Sequence, residues 1–143
     1  TIFLNGNPVD DIKTAHLTDN SVLSLSGAMP GLVGAVMRAG SFYASFRNTI
    51  SYTNTLKEFQ QGSGIIKLKL FNLLMTEIGP FFLERGIVIQ SSDLVYFLFL
   101  HQNDFWNQCQ KVLLNHQEVN ADFFKNDNLS IENEQVLLSI DII

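Results

Sequence analysis

The stretch SGAMPGLVGAVMRAG, Ser26 to Gly40, carries four of the nine glycines and decides how the rest of the chain is read. It follows a strand-like run, Val22-Leu-Ser-Leu-Ser26. Gly27, Gly31, Ala35 and Ala39 recur every four residues, which on a helix makes one stripe of small side chains. Met29, Leu32, Val33, Val36 and Met37 cover the other faces, and no charge appears before Arg38. A helix that is apolar all round is normally buried, so the pattern predicts a central core helix packed closely on a sheet. Pro30 suits its first turn and Gly40 its end.

The same stretch has two functional readings. A strand, a glycine turn and a helix start expose backbone N–H groups that suit a phosphate or carboxylate. The glycine spacing, however, is neither G-x-G-x-x-G nor a Walker pattern. An apolar helix with a small stripe can also pair closely with another helix. About thirteen residues is short of the ~20 needed to span a bilayer.

Outward from this stretch, Asn5-Gly6-Asn7-Pro8 predicts a turn after a first strand, Thr1 to Leu4, with Val9 to Ile12 returning. Residues Ser41 to Thr53 alternate, with Phe42, Ala44, Phe46, Ile50 and Tyr52 on one side, and predict a strand. Asn54 to Gly64 predicts a mobile loop. Ile65 to Ile78 favours a helix over a strand, ended by Gly79-Pro80, and Pro80 to Arg85 starts another. Ile87 to Gln90 reads as a strand. Ser91-Ser92-Asp93 offers a cap, and Leu94 to Leu100 fits helix or strand. Asn103-Asp104 caps a helix reaching about His116, and Leu129 to Ile143 predicts a closing hairpin. The class expected is α+β: a mainly antiparallel sheet with a buried apolar central helix and further helices on one face, as a single globular domain over residues 1–143.

Composition narrows the function. Charged residues are 16% and hydrophobic ones 46%, with twelve phenylalanines. Such a thinly charged chain points to apolar surface covered by a partner, most simply another copy. The net charge of −5 and the absence of a long Lys/Arg run argue against nucleic acid and against a polybasic membrane anchor. A lone Cys109 and no signal-like segment point to a reducing, cytoplasmic setting. Thr1 in place of Met reads as a trimmed boundary.

The chemistry-bearing candidates are few. His16, His101 and His116 show no zinc-ligand spacing. His101 and Asp104 lie three apart, but the plainer reading is a capped helix start. Asp10-Asp11 reads as a solvated turn edge and Cys109 as a buried thiol. Arg38 and Arg47 flank Gly40 and are the basic residues best placed to clamp an anion. The expectation is therefore a non-catalytic domain acting by self-association and by contact with a protein or a small ligand. The alternative is a small-molecule enzyme that binds an anionic substrate at Gly27 to Gly31, with Arg38 and Arg47 as clamps and His101 as acid–base. The pattern names no cofactor and no metal site.

Overall fold

The computed structural model describes residues 1–27, 29–54, 62–101, 104–125 and 131–141. It divides into two compact units, Thr1–Pro80 and Phe81–Ile143. The α+β class holds, with helices and mixed sheets.

The first unit is built on a four-stranded sheet in the order β2-β1-β3-β4, with β1 at Ile2–Leu4, β2 at Asn7–Pro8, β3 at Val22–Ser26 and β4 at Lys67–Phe71. Asn5 and Gly6 both take positive φ (51° and 85°), the geometry of the tight turn that matches strand twist. Asn5 also ties the turn to β3: its Oδ1 accepts from the Val22 N–H at 2.8 Å. β1 runs antiparallel to β3 and β4 parallel to it. The register places Ile2, Leu4, Leu23, Leu25, Leu68 and Leu70 on one face. Phe3, Ser24, Lys67 and Lys69 share the other. Leu4 is the most deeply buried apolar side chain of the face. β4 falls where a helix was favoured: the Ile66-Lys-Leu-Lys-Leu70 alternation wins because β3 supplies a matching apolar row to pair with.

Between β3 and β4 lies a compact helical hairpin. Its first arm, α1 (Gly31–Met37), is only seven residues long and buries only Gly34. Leu32 and Val33 are 71% and 59% exposed. This corrects the expected buried central helix. Gly31 opens the helix and Ala39 lies beyond its end, so the small stripe is cut at both ends and no long apolar cylinder forms. The second arm is a 3-10 helix, Phe42–Arg47, where a strand was expected. Local hydrogen bonds replace a ladder there. Ser41 Oγ donates to the Ala35 carbonyl at 2.6 Å, and the Ile50 N–H donates to the Arg47 carbonyl at 2.9 Å. Much of the expected loop at 54–64, residues 55–61, lies outside the described residues.

α2 (Leu73–Arg85) contains Pro80 instead of stopping before it. The proline forfeits one backbone bond to the Thr76 carbonyl, and helix-forming Leu, Met and Glu around it carry the helix through.

In the second unit β5 (Ile87–Gln90) pairs antiparallel with β8 (Gln135–Leu138). Of the expected Leu129–Ile131 arm, residues 129 and 130 lie outside the described residues. α3 (Ser91–Leu100) settles the open reading of Leu94 to Leu100 as helix. Gln90 takes the cap position, and the Ser91 hydroxyl donates to the Asn133 carbonyl instead of capping. The helix expected up to His116 shrinks to α4 (Asp104–Asn107). A hairpin follows, β6 (Val112–Leu114) with β7 (Gln117–Val119). Asn115 and His116 turn it, both at positive φ (50° and 66°). Val112 faces Val119 across the ladder, and Lys111 and Glu118 pair at 3.3 Å.

Candidate functional site

The most organised polar cluster of the first unit is centred on Arg47. Its side chain comes from the last turn of the 3-10 helix and the residue is only 2% exposed. Nη1 and Nη2 donate to the two carboxylate oxygens of Asp10 at 2.8 and 2.6 Å, a bidentate fork. Nε donates to the Val36 carbonyl of α1 at 2.7 Å, and Nη1 also reaches Ser51 Oγ at 2.7 Å. The Ser51 hydroxyl donates to Asp10 Oδ2 at 3.1 Å. One guanidinium thus ties three segments together: the loop after β2, the body of α1 and the turn after the 3-10 helix.

This latch gives Arg47 a role different from an anion clamp. The donors that match a carboxylate are already committed to one from the same chain. Asp10, expected as a solvated turn edge, is the partner that sequence reasoning missed. The two residues lie 37 apart, and no local pattern links them. Asp11 does behave as a turn residue, its Oδ1 accepting from the Lys13 N–H at 2.9 Å.

The Asp10 carboxyl is held below its ordinary value of 3.8. The hydrogen bond from Arg47 is the main cause; partial burial pulls the other way, and the Ser51 hydroxyl and the Arg47 charge add to the lowering. A carboxylate with a depressed folded-state pKa stabilises the fold fully above its unfolded pKa. That contribution fades as pH falls through the folded value. The stability gap between the wild type and Asp10→Asn is therefore expected to be constant near neutral pH and to shrink below about pH 4. Urea midpoints measured across that range test this; a gap that stays flat into strong acid would contradict the latch.

The other expected site residues are placed as follows. Gly27 is exposed, and a Cβ there would meet Leu74 Cγ at 3.4 Å. Gly31 opens α1 with φ +72°. Arg38 is exposed at the end of α1, its N–H donating to the Gly34 carbonyl at 3.1 Å. His101 belongs to the second unit, at the end of α3, with its ring 4.6 Å from Phe97. The side chain of Asp104, its suggested partner, lies outside the described residues.

The second unit has two features of its own. A run of ring contacts joins Phe97, Phe105, Trp106, Phe124 and Phe123 with centroids 5.1 to 5.9 Å apart. Trp106 is buried in it, and among the described residues its indole N–H meets no hydrogen-bond acceptor. A cavity of about 270 Å³ is lined by residues 109–112 and 118–121, and the Cys109 thiol beside it donates to the Lys111 carbonyl at 3.6 Å. Among the described residues no three His, Cys, Asp or Glu side chains group to hold a metal ion, and no helix is long and apolar enough to cross a membrane. No protein-family model, curated protein or solved structure matches the chain, which leaves its own geometry as the guide to function.

Proposed function

We propose that this chain is a non-catalytic domain that works by self-association and by contact with a protein or small ligand, in a reducing compartment such as the cytoplasm. The observation that carries this reading is apolar surface. Leu32, Phe42 and Phe46 in the first unit and Tyr96, Phe99 and Leu100 in the second are all more than half exposed. Exposed apolar residues scattered singly are ordinary, but several clustered on one short segment mark a surface that another molecule covers. The low fraction of charged residues agrees with that.

Native mass spectrometry of the full chain, purified without added ligand, tests it. A dimer or higher oligomer with no added mass is the expected result. A protomer carrying the mass of a small anion would favour the rival reading, an enzyme whose substrate sits at Gly27 to Gly31.

A further inference from the structure

We infer that the α1/3-10 hairpin is the self-association surface and that its occupant is the same hairpin of a second copy. This rests on the self-association reading above and names the surface that carries it. Three observations lead there.

The first is area. Leu32, Val33, Phe42, Tyr43, Phe46 and Ile50, on the hairpin and the turn after it, together expose on the order of 700 Å², close to the ~800 Å² each partner gives to a standard-size interface. Tyr43 already meets both Phe42 and Phe46, with centroids 5.4 and 6.1 Å apart. They form a joined aromatic group of the kind that dominates interface energetics.

The second is charge. All fourteen acids of the chain lie outside residues 20–57, the longest acid-free stretch in the sequence. Two copies each carrying −5 repel over most of their surface. A two-fold contact sets one patch against itself, and a segment that brings no acid of its own, with its one attached carboxylate, Asp10, already paired to Arg47, can do this without placing unpaired carboxylates face to face. Arg47 adds no free charge because Asp10 neutralises it. Arg38 has no ion pair among the described residues, and it lies at the opposite end of α1 from Leu32 and Val33.

The third is rigidity. The latch from Arg47 to Val36, Asp10 and Ser51, with the Ser41 to Ala35 bond, fixes both arms before any partner arrives. A preorganised surface loses little freedom on binding.

The test is sedimentation velocity of the full chain over a wide concentration range, comparing wild type, Phe42→Ser/Phe46→Ser and, as a control in the second unit, Phe123→Ser. Circular dichroism confirms that each variant keeps its fold. The expected result is a wild-type dimer, roughly hundredfold weaker dimerisation in the double variant, and no change in the control. A photo-crosslinking residue at position 42 should join two chains in the wild-type background. A wild-type dimer that the double variant leaves intact overturns this surface but not self-association. A wild type that is monomeric at every concentration overturns both.

Discussion

Replacing Asp10 with alanine is expected to destabilise the first unit by about 3 kcal/mol, more than replacing Arg47 with methionine. The asymmetry comes from burial. The Arg47 side chain is 1% exposed and that of Asp10 is 44% exposed. Without Asp10, a guanidinium stays in the interior with only the Val36 carbonyl and Ser51 to face it. Breaking a buried pair in this way costs roughly 3–5 kcal/mol, and the lower end applies because water already reaches Asp10. Without Arg47, Asp10 turns to solvent and methionine fills much of the vacated space, so about 1–2 kcal/mol is lost with the hydrogen bonds. Urea denaturation followed by circular dichroism ranks the two variants. The reverse order would mean that the arginine contributes mainly by packing.

Gly34→Ala is the second large effect, and its sign runs against helix propensity. Alanine in a helix interior is worth about 1 kcal/mol over glycine. A Cβ at position 34, however, would sit 1.7 Å from the Met29 carbonyl oxygen and 2.5 Å from its carbon. The obstacle is backbone, so the turn through Met29 and Pro30 must move as a whole. Overpacking of this kind costs about 1–3 kcal/mol and occasionally more, leaving a net loss of about 2 kcal/mol. Gly79 provides the contrast. It lies within α2, and beyond its chain neighbours and its own helix nothing comes within 4 Å of its would-be Cβ. The Pro80 ring crowds a Cβ on the preceding helical residue and offsets the propensity gain, so Gly79→Ala is expected to change stability by less than ~1 kcal/mol. Measured side by side, Gly34→Ala should lower the unfolding midpoint clearly more than Gly79→Ala. Two stabilisations would show that the Met29 turn yields freely.

These two positions also show what the residues alone could and could not reveal. Local signals served well. Asn5-Gly6 reads as a turn because its backbone angles are a property of those two residues, and Val22–Ser26 and Ile87–Gln90 read as strands from their own side chains. The failures involve partners far along the chain. Phe42 to Arg47 alternates like a strand, but it folds as a 3-10 helix whose last residue is tied to a carboxylate 37 residues away. The Arg47–Asp10 pairing is invisible to a window of any ordinary length, so Arg47 looked like an outward clamp. The β6–β7 hairpin was missed for a different reason. Asn115-His116 is a rarer way to write a turn than Asn-Gly, because histidine must accept positive φ.

The parallel pairing of β3 with β4 has a consequence for how the chain is made. About 40 residues separate the two strands, and a ribosome adding 5–20 residues per second needs roughly 2–8 seconds to deliver the second after the first. Through that interval β1 can already pair with one edge of β3, while the unpaired backbone N–H and C=O groups of the other edge wait for β4. The latch needs only residues up to Ser51, so it can close before the strand that completes the sheet has emerged from the exit tunnel. Nascent chains of this protein should therefore be most prone to sticking during the synthesis of the β3–β4 connection, and a chaperone that guards open strand edges would be needed there, not at the finished fold.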